Sequence, residues 1–252
     1  MPDSLGYRIK FGVIAPSTNT SVQPEFDAMA PPGVTNHMAR IDIPNISVQN
    51  DDDFNKLIKL IEGTQDEAVR RVMSCSPAHL IMGMSAETFW DGLEGSVKLK
   101  KHMQDVSGVD VTMGSDASQA ALKTLEKRYG KIKKIACVTP YQPVGDKNVK
   151  RFFEDLGYEV KTVKGLRCTS PINIAEQSPK TLRDAILEVD GDDVDAIVQA
   201  GTNLAMAKVA AMAERWLGKP VVAINTATYW YALRNNGIHD QFDGWGSLML
   251  EH

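Results

Sequence analysis

Apolar positions along the chain follow two rhythms. Short runs such as KFGVIAP, MARIDIP, HLIMGMS and VDVTMGS are nearly continuous, whereas the stretches between them, such as FNKLIKLIEGTQDEAVRRVMS, place apolar residues three and four apart. Runs of the first kind suit strands buried on both faces, and stretches of the second kind suit amphipathic helices, so their alternation predicts a parallel sheet with crossover helices. Four strands of this kind fill the first half. The second half repeats the plan with KKIACVTPY, GYEVKTVKG, VDAIVQAGTN and KPVVAINTA, divided by helical segments such as NVKRFFEDLG and PKTLRDAILEV.

Single residues repeat as well. Pro16 matches Pro140, Gly83 matches Gly201 and Ala117 matches Ala227, at offsets of 124, 118 and 110 residues that shrink smoothly along the chain. The expected fold is therefore α/β, with two Rossmann-like lobes, each holding a parallel four-stranded sheet, related by a pseudo-twofold axis. Residues 1–117 form the first lobe, completed by about 228–252, and residues 118–227 form the second. Open parallel sheets bind ligands beyond the carboxyl ends of their strands, so the ends after Pro16, Gly83, Pro140 and Gly201 should face one cleft.

The loops at those ends are rich in small polar residues. APSTNT supplies Ser17 and Asn19, MGMSAET supplies Met84, Ser85 and Glu87, TPYQP supplies Tyr141, and AGTN supplies Thr202 and Asn203. Small residues leading into a helix expose backbone N–H groups and the positive end of the helix dipole, which attract carboxylate or phosphate oxygens. Helix capping alone accounts for one such loop; four on one face point to an anion site without a conventional cation.

The remaining composition narrows the chemistry. No GxGxxG or GxxxxGK[ST] follows a strand, so no nucleotide or flavin cofactor is expected. Five scattered histidines and three cysteines (Cys75, Cys137 and Cys168) without a CxxC pair give no metal set. Cys75 and Cys137 sit in structural settings, and free thiols suit a reducing compartment. The formal charge is −4 and the one basic cluster, KRYGKIKK, reads as solvated surface, so no nucleic acid is expected. No apolar run reaches the roughly 18 residues of a membrane span, and the N-terminus is too weakly apolar for a signal peptide. A cytoplasmic protein acting on a small carboxylate, with no membrane partner and compatible with a homo-oligomer, is the expectation.

At these loops the chain resembles the aspartate/glutamate racemase superfamily, in its arylmalonate decarboxylase and maleate cis-trans isomerase branch. GVIAPSTNT, LIMGMS with Phe89-Trp90, VTPY, and DAIVQAGTNL followed by LGKPVVAINTATYW carry the resemblance, which covers nearly the whole chain. It implies cofactor-free chemistry at the carbon beside a carboxylate, with Asn19, Ser85, Tyr141 and the Thr202 amide clamping that carboxylate, and Ser17, Met84, Gly83, Gly201 and Asn203 around the substrate. The family's two cysteine positions fall on Gly83 and Gly201, and glycine can neither move a proton nor attack. Three readings follow: a lyase or isomerase in which Glu87 takes over the proton work, a hydrolase or hydratase in which the two glycines make room for water with Glu87 or Asp116 as base, and a non-catalytic carboxylate binder. His239 is a further candidate base. Phe89, Trp90, Tyr229 and Trp230 suggest room for a ring or alkyl group.

Overall fold

A computed structural model describes residues 3–252. Its first half runs β1 (Ile9–Pro16), α1 (Val22–Met29), β2 (Val34–Ile41), α2 (Asp51–Met73), β3 (His79–Met82), a 3₁₀ turn (Glu87–Phe89), α3 (Gly92–Ser107), β4 (Asp110–Thr112) and α4 (Gly114–Tyr129). The second half runs β5 (Lys134–Thr139), α5 (Pro143–Asp155), β6 (Glu159–Gly165), α6 (Pro171–Ala175), α7 (Pro179–Val189), β7 (Ala196–Gln199), α8 (Ala207–Leu217), β8 (Val221–Ala223), α9 (Ile224–Asn235) and α10 (Ser247–Glu251).

Each half contributes one four-stranded sheet, ordered β2-β1-β3-β4 and β6-β5-β7-β8, with every pairing parallel. The fold is thus the α/β arrangement of two parallel sheets that the doubled pattern predicts. The central strands β3 and β7 are buried at every position, which is why they read as continuous apolar runs.

Helix α2 shows how local sequence fixes an element. Asn50 caps it by accepting from the Asp53 N–H, three aspartates occupy its first turn, and Arg70 and Arg71 occupy its last, all in register with the helix dipole. Its buried stripe begins with Phe54, Leu57, Ile58 and Ile61. That stripe serves a double purpose, because its first turns reach across to the second half of the chain: Asp51 Oδ1 accepts from the Val144 N–H of α5.

Helices α4 and α9, which follow the last strand of each sheet, pack against one another and join the halves. Helix α9 lies on the first sheet, with the Tyr229 ring against Phe11 and Phe26 and its hydroxyl donating to Asn36 Oδ1 at 3.1 Å. On the other side, Phe89 meets Phe152 and Phe153 of α5. Phe89, Tyr229 and Trp230 are therefore interior packing, and Trp90 stands beside Phe54; none of the four lines the cleft, contrary to the expectation that they make room for a ring. No helix among the described residues is long and apolar enough to cross a membrane.

Candidate active site

The loops after β1, β3, β5 and β7 enclose a cavity of about 70 Å³ between the two sheets. Asn19 reaches it from the first loop, Met84, Ser85 and Glu87 from the second, Tyr141 from the third, and Gly201, Thr202 and Asn203 from the fourth. The stripe Phe54, Leu57, Ile58 and Ile61 of α2 forms the opposite wall, completed by Ile43, Pro171 and Ile174. Sequence reasoning missed this wall: an amphipathic stripe looks alike whether it covers a core or a cavity.

The polar side is a connected circuit of hydrogen bonds. Ser85 Oγ and Tyr141 Oη share a hydrogen bond of 2.7 Å, and the Thr202 N–H donates to Ser85 Oγ at 3.1 Å. The Thr202 hydroxyl donates to the Gly83 carbonyl, and Asn19 Nδ2 donates to Thr202 Oγ1 at 3.2 Å. A ligand carboxylate would offer these donors a charged acceptor in place of each other, and charge-assisted bonds are the stronger kind. Burial pushes the Tyr141 hydroxyl far up, so it stays protonated as a donor.

Several side chains hold this circuit in place. Asn19 Oδ1 accepts from the Ser21 and Val22 N–H groups, which fixes the start of α1 while the same amide reaches the other sheet's loop. Asn203 is committed to scaffolding: it accepts from the Thr20 N–H and donates to the carbonyls of Thr18 and Pro171. Behind Tyr141, Arg167 donates to the Tyr141 carbonyl and to Asp146, which also accepts from Thr139. Behind Thr202, Asn225 Nδ2 donates to the Thr202 carbonyl and to Glu25 Oε2, while Glu25 Oε1 accepts from the Ala207 N–H. Burial raises the Glu25 carboxyl to about 7, opposed by the bonds from Asn225 and Ala207. No sequence motif marks Glu25, Asn225, Arg167 or Asp146, since each acts through a residue distant in the chain.

Two expected contacts lie elsewhere. The Ser17 hydroxyl is tied to Ile43, donating to its carbonyl at 2.9 Å and accepting from its N–H at 3.1 Å, and it braces the wall without lining the cavity. Gly83 also stands outside the lining; a Cβ there would meet Val22 Cγ1 at 2.8 Å and the Ile14 carbonyl at 3.0 Å.

Gly201 lines the cavity with φ of +107°, and a Cβ on it would sit 2.4 Å from Pro140 Cδ. A side chain at Gly201 therefore meets both a disfavoured backbone and an occupied space. The glycines do not enlarge the cavity, which corrects the premise of the water-attack reading, and a cysteine placed at 201 would meet the same obstacle.

Glu87 opens the 3₁₀ turn and is buried at 5% exposure. Its Oε1 has no hydrogen-bond partner among the described residues. Burial raises its carboxyl to about 7, offset in part by its own backbone N–H and reinforced by the charge of Glu62. The other candidate bases are not in the cavity: Asp116 is paired with Lys100 at 2.6 Å, and His239 is exposed. Burial pushes the Cys137 thiol far up and the Cys168 thiol up to about 12, and neither lines the cavity. Among the described residues no cluster of His, Cys, Asp or Glu could hold a metal ion.

Two parallel sheets of identical strand order, with a carboxyl and a hydroxyl circuit gathered where their strands end, define a two-lobed α/β protein whose site is shared between the halves. Residues 11–249 match the family model described as arylmalonate decarboxylase, and the chain belongs to that family. It is 23% identical over 256 residues to the maleate isomerase of Alcaligenes faecalis, covering 96% of each chain. Among solved structures it resembles the maleate cis-trans isomerase of Nocardia farcinica bound to TRIS, with a TM-score of 0.85 at 18% identity over 96% of this chain and 97% of that one. It also resembles a liganded variant of arylmalonate decarboxylase, with a TM-score of 0.80 at 20% identity over 97% of this chain and 100% of that one.

Proposed function

We propose that the protein is a cofactor-independent lyase or isomerase acting at the carbon next to the carboxylate of a small organic acid, with Glu87 as its proton-carrying group. The observation that carries this reading is the buried Glu87 carboxyl, whose Oε1 has no partner among the described residues, in the same cavity as the Ser85–Tyr141–Thr202 circuit. Membership of a family whose curated relatives include maleate isomerases supports it. Three free thiols, two of them buried, suit a cytoplasmic setting.

In this reading the substrate carboxylate replaces the mutual bonds of Tyr141, Ser85 and the Thr202 N–H. As the neighbouring carbon gains negative charge, that charge spreads into the carboxylate as an enediolate, and the three donors face the oxygens where it collects. A donor of this kind is worth about 3–4 kcal/mol in other oxyanion holes. Glu87 then moves one proton. A carboxyl with a value near neutrality gives up or takes a proton with little penalty in either direction. If a bond to carbon breaks first, its electron pair stays on the enediolate and the Glu87 proton is added to that carbon. If a proton is removed first, Glu87 receives it and returns it. Either route leaves Glu87 as it began after exchange with water.

The test is solvent isotope exchange. Small acids incubated with the protein in deuterium oxide and followed by NMR should acquire deuterium at the carbon beside the carboxylate, or lose carbon dioxide. Both processes should disappear in Glu87→Gln and in Tyr141→Phe. Exchange that persists in Glu87→Gln would remove Glu87 from the role.

A further inference from the structure

Thr202 belongs to the loop after β7, yet its hydrogen bonds lead into the first half of the chain. Its N–H donates to Ser85 Oγ, its hydroxyl donates to the Gly83 carbonyl and accepts from Asn19 Nδ2, and its carbonyl accepts from Asn225 Nδ2 at 2.8 Å. The last of these reaches the first half in two steps, because the same Nδ2 donates to Glu25 Oε2 of α1 at 2.6 Å. Glu25 Oε1 in turn accepts from the Ala207 N–H at 3.3 Å, where α8 begins. One carboxylate of α1 thus grips the start of α8 and, through Asn225 near the start of α9, the peptide that follows the backbone donor of the site. Asn225 is 2% exposed, and α1 packs on α9 around it. The grip matters because Gly201, just before Thr202, has φ of +107° and no side chain to hold the turn. The N–H is aimed from outside: Gln199 Nε2 donates to the Gly201 carbonyl at 2.8 Å on one side, and Asn225 holds the Thr202 carbonyl on the other.

We propose that Glu25 is a positioning residue of the site: acting through Asn225, it fixes the direction of the Thr202 N–H, and it does so as a carboxylate. The proposal rests on the reading that Ser85, Tyr141 and the Thr202 N–H form the clamp. A carboxylate suits both of its contacts, since each is an N–H donor. A proton on Glu25 would set a donor where donors already stand, and the free acceptor in this network is Asn225 Oδ1, which has no partner among the described residues. For Oδ1 to meet that proton the amide must turn over, and the turn takes Nδ2 off the Thr202 carbonyl. One proton on Glu25 therefore loosens the peptide beside the clamp donor. Burial brings the Glu25 carboxyl to about 7, opposed by the bonds from Asn225 and Ala207 and by the charge of Lys208 on α8, so the change falls near neutrality.

Triple-resonance NMR of the isotopically labelled full-length protein tests this by following the Thr202 carbonyl carbon and amide proton across neutral pH. Both should titrate with a midpoint near 7, because the Asn225 bond polarises the carbonyl only while Glu25 is charged. In Glu25→Gln, which keeps the shape and cannot ionise, the titration should vanish and the signals should rest near the parent's low-pH position. In Glu87→Gln, where the other carboxyl raised to about 7 is removed, it should remain. In the deuterium-exchange assay Glu25→Gln should lower kcat by about 10- to 10²-fold with KM nearly unchanged, as when a transition-state donor is mis-aimed from a distance. Thr202 signals that ignore pH, or that titrate alike in Glu25→Gln, would overturn the proposal, as would an unchanged kcat. Should Glu25→Gln fail to fold, the titration in the parent and its survival in Glu87→Gln decide the matter. If no acid exchanges its proton, the catalytic reading falls by itself, and the Thr202 titration still shows whether Glu25 governs this peptide.

Discussion

The loops that follow β3 and β7 occupy the same place in the two sheets, and they do opposite things. In the first loop the glycine has an ordinary backbone and lies behind the site, and the side chains beyond it, Ser85 and Glu87, enter the cavity. In the second loop Gly201 turns at φ +107°, the Thr202 backbone N–H reaches Ser85, and the Thr202 and Asn203 side chains bind carbonyls of the first half of the chain. Gln199 steadies that turn by donating to the Ala200 and Gly201 carbonyls. At the position matching Glu87, four residues past the glycine, the second loop has Ala205. Repetition of a fold therefore does not repeat its chemistry: of these two loops, one carries the acid and the Ser85 hydroxyl, the other a backbone donor and the stitching. An enediolate held between them would meet its proton from one side only.

The largest effect expected from this asymmetry is at Glu87. Glu87→Gln should lower the exchange rate by about 10³-fold, within the range of a lost general acid or base, and leave the affinity for a bound acid nearly unchanged. A rate within threefold of the parent would mean that the first loop does not own the proton. Tyr141→Phe and Ser85→Ala should each cost about 10²- to 10³-fold in kcat/KM, with unfolding midpoints in urea close to the parent. Equal rates would show that the hydroxyls act only as packing.

Gly201→Ala should destabilise more than Gly83→Ala. At 201 the left-handed backbone adds about 1–2 kcal/mol to the roughly 1–3 kcal/mol of overpacking expected at either site. Urea unfolding of the two variants measures the difference, and a reversed order would refute the assignment of Gly201 as the conformational glycine. The same method reads the Glu87 proton. Its carboxyl is raised from 4.5 to about 7 in the folded chain, so the folded state holds a proton that the unfolded state gives up as pH rises across that window. Stability from the neutral form is present below about 4.5 and lost as pH passes 7. Glu87→Gln should therefore gain on the parent between pH 5 and pH 8 by up to about 3 kcal/mol, whereas a constant difference would mean the carboxyl is not held neutral. Alkylation with iodoacetamide should have the smallest effect: none of Cys75, Cys137 and Cys168 lines the cavity, so ligand binding should persist after the accessible cysteine has reacted.

The two four-stranded parallel sheets and the meeting of four loops were legible because both depend on period and position along the chain. Asn19, Ser85, Tyr141 and Thr202 could be singled out because each follows a strand end, where parallel sheets expose backbone and side chain together. What could not be read depends on contacts across the molecule. Ser17 looks like its neighbours in APSTNT until its hydroxyl is seen to bind Ile43. Glu25 has the sequence of an ordinary first-turn acid, and its link to Asn225 spans 200 residues. The segment from about 228 is expected to complete the first lobe, but Tyr229 and Trp230 carry no sign that their rings are used for interior packing and not for the cleft. The wall from α2 was hidden for a related reason, since a stripe at helical spacing states which face is apolar and not what it faces.

The contact between Gly201 and Pro140 has a bearing on how such a site can change. Because any side chain at 201 would enter the space of the Pro140 ring, the two positions cannot vary independently. Substitutions there should be strongly non-additive: a change tolerated at one depends on what already stands at the other. A route toward a thiol at 201 passes first through 140, where a smaller residue and a relaxed turn would have to come before the sulfur. Taken in the other order, the first step yields a weakened loop and no working site, so the path between the two kinds of chemistry is open in one sequence of steps and closed in the other.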